Sequence, residues 1–239
     1  MEMRSKHNEP KGLLAVWADI EEDYRITFKR WHNCEHVPER VNIPGFCVGR
    51  RYRGMDNDGH YLMFYETSSS KVLGDKPYLH SQNNPTPRTR EAVARFRNPA
   101  RAIFSLLARA GEVPLVDSPH LYVMRFNSQS KGIAQWHENE YLPRLCAMSG
   151  VYRGRLYEVD PQISGIVTTE RKIYSPHQGE QRFLMMVEIA SPELPGSKAW
   201  QELPKSTKEG QAMLKGLEDR DERVYWLDFS MYAPRVHSQ

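Results

Sequence analysis

Two stretches decide the fold: residues 31–52 read WHNCEHVPERVNIPGFCVGRRY and residues 136–157 read WHENEYLPRLCAMSGVYRGRLY. They align without a gap at a constant offset of 105 residues. The matched residues are Trp31, His32, Glu35, Pro38, Gly45, Arg50 and Tyr52, which recur as Trp136, His137, Glu140, Pro143, Gly150, Arg155 and Tyr157. Such a match indicates an internal duplication. We therefore predict two copies of one structural unit, related by a pseudo-twofold axis.

The residues around each block predict how a unit begins. A short apolar run precedes each block, GLLAVWADI at 12–20 and HLYVMRF at 120–126, and both have the length and composition of a strand. A helix from about Glu21 to His36 follows in the first unit, and its apolar spacing places Glu35 on the buried face. Because proline disrupts a helix interior, Pro38 should end this helix.

The remaining segments complete the order βαββαβ in each unit. The first unit continues with strands at 46–53, 61–67 and about 101–108, separated by a helical region before the last one. The strand at 61–67 has its counterpart at 183–190, and the second unit ends with a strand near 222–233. This order is the ferredoxin-like arrangement.

A four-stranded sheet covered by helices on one face must bury its other face. We therefore predict an α+β fold of two tandem ferredoxin-like units, residues 12–110 and 118–235, packed sheet to sheet around a shared cavity. Between Tyr157 and Arg182 the second unit carries about seventeen extra residues, a length that is seldom without function. We expect an extended hairpin or loop there, covering the cavity or a neighbouring subunit.

Composition and charge indicate a globular protein without a polyanionic partner. The chain is 39% hydrophobic and 26% charged, and its 33 basic residues nearly balance its 30 acidic ones. This balance argues against nucleic acid and membrane surfaces as partners. A basic cluster near the end of the first unit is either a solvated helix face or a positive rim for an anionic substrate. Its members are Arg88, Arg90, Arg95, Arg97 and Arg101.

Cysteine usage and hydropathy predict the compartment. Cys34, Cys47 and Cys146 form no C-x-x-C pair, so we expect no disulfide framework and a reducing environment. The first residues lack an apolar leader, and no apolar run approaches the roughly 18 residues of a membrane helix. We expect a cytoplasmic protein outside the membrane.

The helix end Trp31-His32-x-x-Glu35-His36-x-Pro38, the Pro44-Gly45-Phe46 turn and the RRYR strand resemble the dimeric α/β-barrel superfamily. The EthD-like and muconolactone-isomerase-like branches look closest, here as a fused tandem. The resemblance implies a small hydrophobic ligand, often aromatic or lactone-like, and a histidine near the first helix that takes part in proton transfer. Only His36 occupies that position, because the second unit has Tyr141 there. The first unit is therefore the expected catalytic one, and oligomers of this architecture imply a homodimer.

The local group of residues best suited to proton transfer is His32, Glu35 and His36. The two histidines are four residues apart on one helix side, with Glu35 beside them, a group that can take and return a proton near neutral pH. Two alternatives stay open. The histidines and Glu35 can be structural, with Glu35 bonded to a backbone amide or to Arg50. The string H-x-x-E-H also matches the inverted zinc-peptidase signature, although no third ligand is marked, and we predict no metal.

Strand residues supply the candidates for substrate binding. Alternation on the first strand should point Trp17 and Asp19 into the cavity, although Asp19 can equally cap the helix at Glu21. A tyrosine turned inward would donate to a developing enolate or phenolate. The predicted catalytic residues are His36, Glu35, His32 and Tyr65, and the predicted substrate-binding residues are Trp17, Asp19, Tyr52, Tyr61, Arg50 and Tyr141.

These residues predict an enzyme that uses acid/base chemistry without an organic cofactor. A lyase, isomerase or cyclase acting on a small aromatic or unsaturated oxygenated metabolite fits best, and no G-x-G-x-x-G or P-loop motif is present. One alternative is a monooxygenase, either cofactor-free or haem-dependent. The other is a module that binds a small ligand without turning it over. The substrate itself is not encoded in any motif.

Overall fold

The protein follows the predicted strand order twice. The computed structural model describes residues 9–56, 59–114, 116–177, 179 and 181–234. The strands are β1 (Gly12–Asp19), β2 (Phe46–Gly54), β3 (His60–Thr67), β4 (Arg97–Gly111), β5 (His120–Ser128), β6 (Val151–Val159), β7 (Phe183–Ile189) and β8 (Leu217–Tyr232). The α-helices are α1 (Arg25–Trp31), α2 (Val37–Val41), α3 (Lys76–Asn83), α4 (Pro87–Ala94), α5 (Ile133–Trp136), α6 (Leu142–Cys146), α7 (Pro161–Ser164), α8 (Thr169–Tyr174), α9 (Lys198–Glu202) and α10 (Lys208–Lys215).

Each unit forms a four-stranded antiparallel sheet, in the order β4-β1-β3-β2 and β8-β5-β7-β6. Strand β2 also pairs with β8, and β4 pairs with β6, so the two sheets join at both edges into one closed barrel. The predicted fold class, two tandem ferredoxin-like units of the dimeric-α/β-barrel type, is confirmed. Closure pairs the sheet edges and so removes them as sites of association.

The first helix of each unit is interrupted by a π-helical turn, His32–His36 in the first unit and His137–Tyr141 in the second. Each turn lies just before the repeated proline. An α-helical proline clashes with the carbonyl four residues back, and the wider turn accommodates its ring. The helix therefore continues through Pro38 to Val41, and the prediction that Pro38 ends it was wrong.

The interior of the barrel is packed with side chains. Alternation along β1 directs Leu13, Ala15 and Trp17 inward, where they form a buried cluster with residues of the other strands. The opposite face of β1, with Leu14 and Val16, packs under the helices of the first unit. The layer between sheet and helices, rather than the centre of the barrel, holds the cavities described below.

The extra residues of the second unit form helices α7 and α8, not the predicted hairpin or loop. Helix α8 packs against α3 and α4 of the first unit. The side chains of Glu170 and Tyr174 on α8 line the pocket of that unit. The segment thus covers a cavity, as its length indicated. In the described ranges, no helix is long and apolar enough to span a membrane.

Candidate active site between sheet and helices

A buried pocket of about 30 Å³ lies between the outer face of the first sheet and its helices. Three of the predicted catalytic residues, His32, His36 and Tyr65, line it together. Aromatic and charged side chains complete its wall: Trp31, Tyr78, Phe96, Tyr174, Arg40, Arg101 and Glu170. The site is therefore formed by one unit and covered by the insertion of the other.

The π turn decides which side chains enter this pocket. His32 and His36 are 1% and 8% exposed, with their rings stacked at a centroid distance of 5.7 Å. The extra residue in the turn rotates the helix face, so Glu35 points away from them. Thr86 Oγ1 donates to Glu35 Oε1 at 2.5 Å, and Arg88 lies 3.8 Å from its other oxygen. Glu35 therefore supports the start of α4 and stands apart from the histidines with which it was grouped.

A chain of hydrogen bonds fixes His32 and Tyr65. Arg51 Nη1 donates to His32 Nδ1 at 3.2 Å, and Arg51 Nε donates to Asp228 Oδ2 at 2.8 Å. Because a guanidinium only donates, neutral His32 carries its proton on Nε2, which lies 3.4 Å from the Tyr65 hydroxyl oxygen. Burial lowers the pKa of His32 well below its ordinary value, helped by the charges of Arg51 and Arg40. The O–H of Tyr65 is left to donate into the pocket.

His36 is the available base of the pocket. Its ring lies 4.5 Å from that of Trp31, and its Nδ1 is buried without a hydrogen-bond partner among the described residues. Burial lowers the pKa of His36 well below its ordinary value, and the charge of Arg40 acts in the same direction. The imidazole is therefore neutral near pH 7. In the tautomer that carries its proton on Nε2, Nδ1 of this neutral ring can accept a proton.

Two buried arginines border the pocket in different electrostatic states. Arg40 donates to Glu170 Oε2 at 2.6 Å, so its charge is balanced. Arg101, 3% exposed, donates through Nη2 to the Tyr78 hydroxyl at 3.3 Å. Among the described residues, its Nη1 has no hydrogen-bond partner and no carboxylate forms an ion pair with it. Arg101 thus leaves one buried positive donor free for an anionic oxygen.

Other predicted substrate-binding residues lie inside the barrel, away from this pocket. Trp17 and Tyr52 belong to the packed interior cluster. Arg50 donates to Glu66 at 3.0 Å and to Asp117 at 2.7 Å, within a buried ionic network that continues to Arg155 and Glu188. The sequence grouped these residues with His36, and the structure places the sheet between them.

Asp19 and Tyr61 occupy two further places. Asp19 Oδ1 lies 2.6 Å from His60 Nδ1, and its other oxygen accepts from Asn98 at 3.0 Å. The side chain makes no cap at the helix start that follows it, so that alternative was wrong. Tyr61 faces the helices on the same side as Tyr65, in the core beneath Phe28. Neither residue lines the pocket of His36.

The second unit has a pocket of about 90 Å³ at the corresponding place, and Tyr141 lines it with Trp136 and His137. Strand register identifies the other counterparts. Gly49 pairs with Tyr65 and its repeat Gly154 pairs with Val187, so Val187 replaces Tyr65. The residue 105 positions after Arg40 is Leu145. The ionisable groups of the first pocket are absent from these positions.

The zinc-peptidase reading of H-x-x-E-H does not match the geometry, because Glu35 turns away from both histidines. Throughout the described ranges, no group of three or more histidine, cysteine or acidic side chains is arranged to hold a metal ion. The three cysteines are free thiols.

Sequence reasoning did not mark Tyr78 or Glu170, and it considered Arg101 only as part of a solvated helix face or a positive rim. Arg101 was assigned to an exposed cluster, yet it lies on β4 beside buried Ile103 on the helix-facing side, because alternate strand residues share a face. That alternation, applied to β4, was the available signal. Glu170 reaches the pocket from an insertion in the other unit, and no local pattern marks it.

Comparison with known proteins identifies the fold. No protein-family model matches the chain, and no curated protein matches it either. An anthrone oxidase-like protein of solved structure has a TM-score of 0.66 and 10% identity, over 96% of this chain and 95% of its own. A candidate monooxygenase from Lactobacillus acidophilus NCFM has a TM-score of 0.59 and 10% identity, over 94% and 97%. A candidate chlorite dismutase has a TM-score of 0.54 and 12% identity, over 91% and 95%.

Each superposition spans both units, so the whole tandem arrangement is shared with these proteins. At identities this low the likeness establishes the fold and no activity. The resemblance to dimeric α/β-barrel proteins is supported at this level. Assignment to the EthD-like or muconolactone-isomerase-like branch stays a prediction.

Proposed function

We propose that the first pocket is the active site of an enzyme that moves a proton on a small unsaturated, oxygenated substrate without an organic cofactor. One observation carries the proposal. His36 and Arg101 line the same pocket, and each carries a buried nitrogen, Nδ1 and Nη1 respectively, without a partner among the described residues. Most buried polar groups in proteins are hydrogen-bonded, so each exception calls for an explanation, and a catalytic role is one of them.

In the proposed reaction, His36 Nδ1 accepts a proton from a substrate carbon. The electron pair of the broken C–H bond moves to the substrate's oxygen, giving an enolate or phenolate. Arg101 Nη1 and the Tyr65 hydroxyl donate to this developing oxyanion, which is the placement that lowers such a barrier. Return of the proton to another carbon completes an isomerisation, and loss of a leaving group completes an elimination.

The electrostatics restrict the substrate. Because burial lowers the pKa of His36, its conjugate acid is strong and the base correspondingly weak. The substrate C–H must therefore be acidified by conjugation with a carbonyl or an aromatic ring. A pocket of about 30 Å³ holds two or three water-sized molecules at about 10–15 Å³ each. A ring-sized substrate therefore requires the covering helix α8 to move.

The test is turnover of conjugated ketones, lactones and phenols by chelator-dialysed protein, followed by mass spectrometry. We expect His36→Gln to lower kcat by about 10²- to 10⁴-fold, the usual contribution of a general base. His80→Gln is the matched control, since His80 is exposed on the neighbouring helix α3. Equal activity in the His36→Gln and His80→Gln proteins would refute the proposal. Binding without turnover would favour the non-catalytic alternative.

A second candidate, a cofactor-free oxygenase, is favoured by the names of two proteins that share the fold, an anthrone oxidase-like protein and a candidate monooxygenase. The same carbanion would then react with O₂. A CH₂ carbon would become C=O, with one oxygen atom retained and the other released as water. Oxygen uptake and ¹⁸O₂ incorporation separate this reaction from isomerisation, in which neither occurs.

A haem-dependent mechanism does not fit the residues of the pocket. An axial histidine needs a free ring nitrogen and room for the macrocycle. Both ring nitrogens of His32 are engaged, and the ring of His36 lies against Trp31 in a cavity of about 30 Å³. The proposed chemistry therefore does not involve haem.

A further inference from the structure

The pocket of the second unit is larger than the first and has aromatic walls. Trp136 and Tyr141 stack at a centroid distance of 4.7 Å and an angle of 6°, and Trp200 meets Tyr122 edge-on at 5.2 Å. A water molecule occupies about 10–15 Å³ of such space, so about 90 Å³ corresponds to roughly six or more of them. This is room for a ligand with a single ring.

Two polar atoms in this wall have no partner among the described residues, Trp136 Nε1 and His137 Nε2. The two side chains are 3% and 1% exposed, and their rings are 4.9 Å apart. His137 Nδ1 lies 2.8 Å from the carbonyl oxygen of Ile133, which can only accept, so Nδ1 carries the proton. His137 Nε2 is therefore a hydrogen-bond acceptor beside the donor of Trp136.

The first unit shows that this arrangement is not inherent in the repeat. There the matching Trp31 donates to Thr89 Oγ1 at 3.2 Å. Both nitrogens of the matching His32 are likewise engaged, by Arg51 and Tyr65. The same two residue types are satisfied in one unit and unpartnered in the other. A buried donor and a buried acceptor that lack partners, on two residues that line a pocket, are groups that a bound ligand could satisfy.

We infer that the pocket of the second unit binds a small neutral aromatic molecule that carries a hydroxyl group, of which phenol is the simplest. One hydroxyl both donates and accepts, so it can donate to His137 Nε2 while accepting from Trp136 Nε1. The charged groups at this pocket are already matched: Glu222 accepts from Tyr122 at 2.6 Å and pairs with Arg220, and Lys205 pairs with Glu202 at 2.9 Å. A neutral ligand is therefore favoured. This site is separate from the proposed active site and does not depend on it.

The test is a titration of the protein with phenol and with toluene, which has a similar shape and no hydroxyl, followed by the NMR signal of the Met124 methyl group in this pocket. Trp136→Phe removes the donor and His137→Phe removes the acceptor. Each change should lower the affinity for phenol relative to toluene by about tenfold, the usual effect of one net hydrogen bond. Trp226→Phe is the control and should leave the ratio unchanged, because Trp226 is 40% exposed and lines neither pocket.

A second test needs no variant and therefore does not depend on whether a variant folds. It compares the binding of phenol and fluorobenzene to the unsubstituted protein. Fluorobenzene matches phenol in size and lacks the O–H that His137 Nε2 would accept. We expect it to bind about tenfold more weakly than phenol. Equal affinities for the two, an unchanged phenol-to-toluene ratio in both variants, or no response of Met124 to phenol would each overturn the inference.

Discussion

The two units place the same tryptophan–histidine pair on the same π turn but surround it differently. In the first unit, His36, Arg40 and Tyr65 stand where the second has Tyr141, Leu145 and Val187. The first pocket is therefore rich in ionisable groups and satisfies its Trp-His pair internally. The second has its charged residues already paired, and its Trp-His pair keeps two polar atoms without a partner among the described residues. The two units share their strand order and their π turn, and they differ in the polar residues around the Trp-His pair. One fold can therefore hold two kinds of site.

The largest expected effect concerns the ion pair that only the first unit has. Glu170→Ala removes the buried carboxylate that pairs with Arg40, which is 1% exposed and would keep only the partly exposed Glu39 as a partner. Leaving one partner of a buried pair uncompensated typically costs about 3–5 kcal/mol. We expect a loss of that size in the free energy of unfolding, measured by urea denaturation.

A double variant sharpens this comparison. Arg40→Leu together with Glu170→Leu gives the first unit the residue that the second has at Leu145, and the one charge that loses its partner, Glu39, is partly exposed to solvent. Replacing a whole buried ion pair with apolar residues is often close to neutral. Most of the lost stability should therefore return. A double variant as unstable as Glu170→Ala would show that the loss arises from packing of α8 and not from charge.

A smaller effect is expected from acidification, which acts on the histidine of the second unit. Burial lowers the pKa of His137 to about 4, against 6.5 for an ordinary histidine. Between these two values the unfolded chain binds a proton that the folded chain does not, so stability falls as the pH falls from about 6.5 to about 4. A shift of this size corresponds to about 3 kcal/mol. His32 and His36 act in the same direction.

The measurement is urea denaturation at several pH values between 7 and 4, for the protein and for His137→Phe. The variant should lose less stability over this window, by about 3 kcal/mol at its acid end. Parallel curves for the two proteins would mean that His137 takes up its proton at the same pH in the folded and the unfolded chain, so that burial does not lower its pKa.

Much of the fold was predictable because it follows from the repeat and from strand alternation. The match between 31–52 and 136–157 defined two units, and the predicted strands agree with the observed ones to within a few residues, apart from the longer last strand of each unit. Alternation also placed Trp17 inside the barrel correctly. These signals are local and regular, which is why they can be read from one sequence.

The arrangement of the site was less predictable because it depends on departures from regularity. A helical period of 3.6 residues places Glu35 on the buried face, whereas the π turn rotates it out and brings His36 in. Packing of the barrel interior moved the candidate site to the other face of the sheet. Arg40 donates to Glu170, which lies 130 positions away in the chain, and no local sequence pattern specifies such a contact.

The smallest expected effect tests the central difference between the units, and it is measured as a difference between two variants. Trp31→Phe and Trp136→Phe remove the same group from matched buried positions, 6% and 3% exposed, so their packing costs should be similar. Trp31→Phe also removes the hydrogen bond to Thr89 Oγ1, whereas Trp136→Phe removes a donor that has no partner among the described residues.

We therefore expect Trp31→Phe to lower the free energy of unfolding by about 1–2 kcal/mol more than Trp136→Phe, in urea denaturation of the ligand-free protein. Adding phenol should narrow this gap by up to about 1.4 kcal/mol, because phenol stabilises a protein in proportion to its binding and Trp136→Phe binds it about tenfold less tightly. Equal losses without ligand would mean that Trp136 Nε1 is satisfied in solution. The two units would then differ in their charged residues alone.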